Sequence, residues 1–291
     1  MKKFPCVAAL MLAALILFGC AHHGHCAEAK LKVLASTFPV YLFAANVCAG
    51  APGVEVSLLV PASAGCPHDF ALRPQDAQKL AKAQILVING AGLEEFLEKP
   101  LKNIAPNIAV IDASKGLKLL DEDHHPNPHT FAAPAEAALM AKNIGEGLAA
   151  ADPERGDVYR KNAAAYSGEL EKISSALRQV GDKASNRGVA IEHEALAYLA
   201  ANASLDATIM FEHGNSAAQL GSLKKELLAK KPRALAGDSQ YGDRLLQTLA
   251  KETGIPFITL DPCASGPDNP PLDYYQKTMG NNLRTLEATF D

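Results

Sequence analysis

The chain has 291 residues, of which 48% are hydrophobic and 21% charged, and its formal net charge is -4. This length suits one large domain or two medium ones, and the composition is ordinary for a soluble globular protein. The acidic balance argues against a nucleic-acid partner, because phosphate binding needs lysine and arginine clustered on one face.

The amino terminus has the pattern of a secretory signal. Lys2 and Lys3 precede an apolar run over residues 7–18, which is short for a bilayer span but suits a signal peptide. Residues 17–20 (LFGC) resemble a bacterial lipoprotein cleavage site with Cys20 as the lipidated first residue, and cleavage after Ala29 is the alternative. Residues 1–29 are therefore predicted to be a signal peptide and mobile tail, and the protein is expected to be periplasmic or otherwise extracytoplasmic, held to the membrane by its lipid.

After this leader, apolar runs rich in branched residues alternate with helical patterns. The first half is predicted to contain strands over residues 32–36, 54–60, 85–89 and 108–112, with helices over residues 40–47, 75–83, 93–99 and 135–150. Asp152-Pro153-Glu154 then looks like a helix N-cap followed by proline. It opens a long helical pattern that continues to about residue 180.

The second half repeats the alternation. Its predicted strands cover residues 189–191, 207–211, 234–237 and 255–260, and its predicted helices cover residues 194–202, 216–230, 243–253 and 272–288. Strands that alternate with helices of this length predict parallel sheets built from βαβ units.

The predicted fold class is therefore α/β, with two lobes that each contain a four-stranded parallel sheet flanked by helices. One long rigid helix over residues 152–181 would join a lobe over residues 30–151 to a lobe over residues 182–291. At 1.5 Å per residue, a helix of roughly 25 residues would be about 37 Å long.

The candidate ligands are residues that follow predicted strands. A Pro-His-x-Phe pattern occurs twice, at residues 67–70 and 128–131, and each copy is followed by a proline that opens a helix. Ligands in open α/β sheets bind beyond the carboxyl ends of strands. The residues placed there are His68, His129, His193 and Asp261, two from each lobe. Three imidazoles and a carboxylate suit zinc.

Other interpretations stay open for each of these residues. An isolated loop histidine is usually a polar surface residue, and the Asp261-Pro262 pair is a common turn opener. His213 also follows a strand and is a rival ligand from the second lobe. Asp238 likewise follows a strand and could be a ligand or a hydrogen-bonding partner of a ligand. His124 and His125 lie in an acidic loop and are expected to be solvated or to capture metal weakly.

Several motifs in order carry a resemblance to a known family. They are Pro67-His68-Asp69-Phe70 with Pro74, residues 83–92, Asn127-Pro128-His129, Asp152-Pro153, Glu192-His193-Glu194 with Tyr198, residues 251–254, and Leu260-Asp261-Pro262. From Leu31 to about Leu286, the chain resembles the metal-specific solute-binding lipoproteins of ABC transporters, which take up zinc or manganese.

The resemblance implies two lobes linked by a rigid helix, with His68, His129, His193 and Asp261 as metal ligands. Histidine at the third of these positions is similar to the zinc-type members, whereas manganese-type members tend to carry glutamate there. The sequence departs from the family at Phe70, where tyrosine is usual, and at Phe131-Ala132, where the family usually has Trp-Leu after the second histidine. The histidine-rich loop of zinc-type members is reduced to His124-His125.

Two cysteines are unusual beside this ligand set. Cys66 and Cys263 each lie two residues from an implied ligand, one in each lobe. If the ligands converge, the two cysteines are neighbours, and export permits disulfides. We expect a Cys66–Cys263 disulfide, with two free thiols or a sulfur ligand competing with Asp261 as alternatives.

The expected function is high-affinity binding of Zn²⁺ outside the cytoplasm and its delivery to an ABC membrane permease by a monomeric protein. Mn²⁺ is the alternative cargo. A manganese- or iron-type binding protein and a metal-dependent adhesin are the alternative functions. A zinc hydrolase is disfavoured, because a fourth protein ligand closes the position that catalysis needs. No enzymatic activity is therefore expected, although Glu192 and Glu194 flank His193 and could act as a base.

Overall fold

The structure is a computed structural model that describes residues 30–65, 67, 70–122, 125–211, 217–242 and 244–291. The predicted signal segment with Cys20 lies outside this described part, as do Cys66, His68, His124 and His213. Leu31–Asp291 form one compact unit, and the predicted lobe boundaries within it stay a prediction.

The first half of the chain forms a four-stranded parallel sheet with helices between its strands. The elements are β1 (Leu31–Ala35), α1 (Phe38–Val47), β2 (Val54–Leu58), α2 (Pro74–Lys82), β3 (Ile85–Ile88), α3 (Glu98–Ile104) and β4 (Ala109–Asp112). Their strand order is β2-β1-β3-β4. Proline at the start of α1 and α2 fits the first turn of a helix, where its missing N–H would be unpaired.

A short hairpin and two long helices connect the halves. They are β5 (Asp121–Glu122), β6 (His125–Pro126), α4 (Pro134–Ala151) and α5 (Gly156–Lys183). A 3-10 turn over Pro153–Arg155 precedes α5. With 28 residues, α5 is about 42 Å long at 1.5 Å per residue. The predicted linker helix is therefore confirmed, and the β5-β6 hairpin is an addition to the predicted elements.

The second half repeats the architecture of the first. Its elements are β7 (Gly188–Ile191), α6 (Ala197–Asn202), β8 (Asp206–Met210), α7 (Ala217–Lys230), β9 (Ala234–Asp238), α8 (Arg244–Thr253), β10 (Phe257–Leu260) and α9 (Tyr274–Phe290). The strand order is β10-β9-β7-β8, and all pairs are parallel. In both sheets the first strand therefore lies between the second and the third, and the order reverses beside it. Crevices that bind ligands form at such reversals, beyond the carboxyl ends of the strands.

One hydrophobic core runs through both sheets. It contains Val33 and Val87 of the first sheet, Val189 and Ala236 of the second, and Leu170 of α5. Burial of apolar surface stabilises a fold by about 25 cal/mol per Å², so this shared core ties the two sheets together.

The last helix, α9, also contacts the first half of the chain. The Tyr275 ring on α9 meets Phe43 of α1 edge to face, with centroids 5.1 Å apart. Its hydroxyl donates a 2.7 Å hydrogen bond to the carbonyl of Phe131, ahead of α4. The carboxyl-terminal helix therefore supports the first half as well as the second. Among the described residues, none of the helices combines the length and the apolar character that crossing a membrane requires.

Candidate metal centre

His129 is a buried residue in the loop between β6 and α4. Its side chain is 0% exposed. The backbone N–H of His129 donates to Oδ1 of Asn127 over 2.9 Å, and the Nδ1 atom of its ring lies 2.9 Å from the same oxygen. The carboxylate of Glu194 comes within 3.5 Å of that Nδ1. The ring is thus held through Nδ1, and its Nε2 points away from this anchor.

His193 follows β7 and is held by a different kind of group. Its Nδ1 lies 2.9 Å from Oδ2 of Asp238, the last residue of β9. Asp238 is buried, and the backbone N–H of Gln240 donates to its other oxygen over 2.9 Å. A metal-bound histidine usually makes a hydrogen bond of this kind through its second nitrogen, and the bond fixes the orientation of the ring. Asp238 is therefore placed as a supporting partner of His193.

The structure brings His129 and His193 together across the two halves of the chain. Their ring centroids are 5.4 Å apart, and the ring planes are inclined by 69°. Two imidazoles on one tetrahedral ion, with Zn–N bonds of about 2.0–2.1 Å, hold their ring centres about 5 Å apart. The distance between the two ring centres is therefore close to the distance expected for two rings that bind the same metal ion.

Asp261 lies at the end of β10, in a turn anchored to α9. Its backbone N–H donates to Oδ1 of Asn282, and Nδ2 of Asn282 donates back to its carbonyl, over 3.0 and 2.7 Å. Its Oδ1 accepts from the N–H of Cys263 over 2.7 Å. Burial raises the pKa of Asp261 and the like charge of Asp238 adds to this, while hydrogen bonds from Cys263 and Ser239 oppose it. Asp261 therefore lies near the residue that supports His193.

The described residues contain no group of three or more His, Cys, Asp or Glu side chains assembled to hold a metal ion. His68, the remaining predicted ligand, is outside the described part, as is Asp69, whereas Pro67 and Phe70 are within it. The site built from all four predicted ligands stays a prediction.

Cys263, one of the two cysteines of the predicted disulfide, is buried in the core. It is a free thiol, 0% exposed, and has a positive φ of 64°. The thiol is buried beside Tyr166, Tyr275 and Thr278, and this burial raises its pKa well above the usual range. Cys263 thus packs into the core between α5 and α9. Cys66 is not among the described residues, and the Cys66–Cys263 disulfide stays a prediction.

Two residues for which the sequence predicts no role lie beside the histidine pair. Asn127 and Tyr198 are both buried, and Asn127 contacts His129 directly. The hydroxyl of Tyr198 donates to the carbonyl of Asn127 over 2.8 Å and accepts from the N–H of Leu120 over 2.9 Å. The one local signal is the Asn-x-His spacing, which lets a side chain reach the backbone N–H two residues later, as Asn does in turns.

Comparison with known proteins gives consistent matches over the described unit. A family described as zinc-uptake complex component A, periplasmic, matches residues 33–289. The chain is 26% identical over 313 aligned positions to the zinc-binding lipoprotein AdcA of Streptococcus pneumoniae, covering 100% of this chain and 62% of that relative. The chain thus spans less than two thirds of the length of that relative.

A second relative has a length closer to that of this chain. The high-affinity zinc uptake system protein ZnuA of Haemophilus ducreyi is 27% identical over 267 aligned positions, covering 80% of this chain and 85% of the relative. Among solved structures, the binding protein FpvC of Pseudomonas aeruginosa in complex with Mn²⁺ superposes with a TM-score of 0.80 at 25% identity. That match covers 90% of this chain and 98% of the other.

Proposed function

The chain belongs to the family of periplasmic zinc-uptake complex components, and from this we propose that it captures Zn²⁺ outside the cytoplasm and delivers it to an ABC permease. The family is one of substrate-binding components of transporters and not of enzymes, so no residue is given a catalytic role. Binding, closure around the ion and release on docking with the permease account for the whole activity.

The pairing of His129 and His193 is the observation that carries this proposal. Both rings are anchored through Nδ1, and their centroids are 5.4 Å apart. We propose that both bind the ion through Nε2, with His68 and Asp261 as the other two ligands. Neutral imidazole is a good ligand for zinc, whereas manganese favours carboxylate, carbonyl and water oxygens. A set of three imidazoles and one carboxylate therefore favours Zn²⁺.

Mn²⁺ is the second candidate cargo, and one solved structure favours it. The FpvC structure, to which this chain is similar, was solved with Mn²⁺. A competition between the two ions decides between these candidates.

The location is proposed from the sequence and the relatives together. Residues 1–29 have the signal pattern described above, and the AdcA relative is named a lipoprotein. We therefore propose that Cys20 is lipidated and holds the protein at the outer surface of the cytoplasmic membrane. Mass spectrometry of the membrane fraction would show a diacylated Cys20, and a mature chain that begins at Lys30 would contradict this.

The test of the function is metal content and competition on the mature, metal-free protein. One Zn²⁺ per chain is expected, not displaced by excess Mn²⁺. Alanine at His68, His129, His193 or Asp261 should weaken Zn²⁺ binding by more than about 100-fold, beyond the range typical of residues outside the coordination sphere. His125→Ala is the matched control, because that histidine is exposed on the β5-β6 hairpin. Tighter binding of Mn²⁺ would reverse the choice of cargo, and absence of stoichiometric binding of either ion would contradict the function.

A further inference from the structure

Asn127 is a buried amide with all of its polar groups in use. It is 1% exposed and lies in the loop between β6 and α4. Its Oδ1 accepts from the N–H of His129 and lies 2.9 Å from Nδ1 of the same residue, and its Nδ2 donates to the carbonyl of Glu194 over 3.0 Å. Its own N–H and carbonyl bond to Leu120 and Tyr198 over 2.8 Å each.

The contacts of this amide leave one orientation. A backbone N–H can only donate, and a backbone carbonyl can only accept. Oδ1 must therefore face His129, and Nδ2 must face Glu194. An amide oxygen only accepts as well, so the Nδ1 atom of His129 has to carry the ring hydrogen. Nε2 is then the nitrogen with the lone pair, which is the form that a metal ion requires.

The same amide reaches the second histidine through the backbone. Glu194 directly follows His193, so one side chain contacts the segments of both histidines, which lie in different halves of the chain. The hydroxyl of Tyr198, on α6 of the second half, donates to the carbonyl of Asn127. The 5.4 Å separation of the two rings is thus spanned by one chain of hydrogen bonds.

We propose that Asn127 is a positioning residue that fixes the Nδ1–H tautomer of His129 and its spacing from His193 before a cation arrives. This rests on the proposed function only in that the cation is the Zn²⁺ cargo. When the two rings are already ordered in this way, less binding free energy is lost in ordering the ligands. Loss of a partner outside the coordination sphere typically weakens metal binding by about 10–100-fold.

Asn202 offers a matched control. It is also a buried asparagine that joins the two halves, since Oδ1 accepts from the N–H of Ala135 over 3.2 Å and Nδ2 donates to Oγ of Ser174 over 2.8 Å. Among the described hydrogen bonds, none joins it to His129 or His193. Its replacement removes a comparable bridge without touching the histidine pair.

The experiment compares the wild type with Asn127→Ala, Asn127→Asp and Asn202→Ala. The tautomer of His129 is read from ¹⁵N shifts of the imidazole in the metal-free protein at pH 8, and Zn²⁺ affinity is read by competition with a chelator. The wild type should show the Nδ1–H form. Asn127→Asp should keep that form, because a carboxylate also accepts from Nδ1–H, while Asn127→Ala should give a mixture. Asn127→Ala should weaken Zn²⁺ binding about 10–100-fold, and Asn202→Ala should change it less than about threefold while lowering the melting temperature.

Three results would overturn the proposal. The first is an Nε2–H form of His129 in the wild type, and the second is wild-type tautomer and affinity in Asn127→Ala. The third is an equal loss of affinity in Asn202→Ala, which would mean that packing between the halves is responsible. If the wild type binds no Zn²⁺, the proposed function fails, whereas the tautomer measurement still decides whether Asn127 positions His129.

Discussion

The two halves of the molecule hold their candidate ligand histidines with different groups. In the first half, His129 is fully buried and rests on the neutral amide of Asn127. In the second half, the side chain of His193 is 16% exposed and rests on the carboxylate of Asp238. Each partner thus orients one histidine ring. The ring with the amide partner is fully buried, and the ring with the carboxylate partner is the one nearer solvent.

The first half also has a buried carboxylate, but it lies farther from its histidine. Glu94 accepts from Ser36 Oγ and the N–H of Asn89 over 2.6 Å each, and from the N–H of Gly90 over 3.0 Å. The side chain of Asn89 in turn donates to the carbonyl of Pro128, next to His129, over 2.9 Å. Glu94 is thus linked to the His129 segment through the amide of Asn89, and the carboxylate within 3.5 Å of Nδ1 of His129 is that of Glu194, from the second half.

The largest expected effect is the change in stability with pH that results from the titration of Glu94. Burial raises its pKa from 4.5 to about 7, in spite of the hydrogen bonds from Ser36, Asn89 and Gly90. Between these two values the folded protein holds a proton that the unfolded chain has lost. The stabilisation from the neutral group is thus complete below pH 4.5 and is lost as pH rises through 7, by roughly 3 kcal/mol in all.

Denaturant unfolding of the metal-free protein between pH 4 and 8 measures this effect. Glu94→Gln serves as the control, because glutamine cannot titrate and should remove this part of the pH dependence. The same slope in both proteins would show that other groups cause it.

Changing Asp238 sharpens the comparison directly. Asp238→Asn would give His193 the same kind of partner that His129 has, while Asp238→Ala would remove the partner. Zn²⁺ affinity should fall about 10–100-fold in the alanine variant and less in the asparagine variant, measured by chelator competition. Asp206→Asn, at an exposed residue that pairs with Arg187 over 3.5 Å, should leave affinity unchanged. Equal losses in both Asp238 variants would mean that an amide cannot replace the carboxylate there.

Tyr198→Phe tests hydrogen bonds that join the two halves, and its expected effect is the smallest. It leaves the N–H of Leu120 and the carbonyl of Asn127 without the tyrosine hydroxyl, so stability should fall by about 1–2 kcal/mol. Zn²⁺ affinity should fall less than about tenfold. Tyr159→Phe removes a hydroxyl bonded to Asp152 over 2.7 Å, at the start of the linker helix α5, and should cost similar stability without weakening Zn²⁺ binding. Unchanged stability of the Tyr198 variant would contradict a stabilising role for these two hydrogen bonds.

Much of the fold could be predicted from the sequence because its signals are local. Alternating apolar runs and helical patterns located the eight main strands and the long helix α5, and proline marked the starts of α1, α2 and α4. The β5-β6 hairpin was missed, since strands of two residues show no periodicity.

The site was only partly predictable because its contacts join distant parts of the chain. The sequence placed His129 and His193 after predicted structural elements, and the structure brings them together. The hydrogen-bond partners of the two ring Nδ1 atoms are Asn127 and Asp238, and the second of these is 45 positions from its histidine. The inward position of Cys263 depends on a positive φ at that residue, for which the sequence carries no local signal.

The last helix has a consequence for the order in which the protein becomes competent. Helix α9 bonds to the Phe131 carbonyl through Tyr275 and to the backbone of Asp261 through Asn282. A chain synthesised from its amino end contains both histidines well before these two residues exist. A nascent or truncated chain therefore lacks the groups that brace the segments of the candidate ligands, and the proposed metal site can be complete only once the carboxyl terminus has been synthesised.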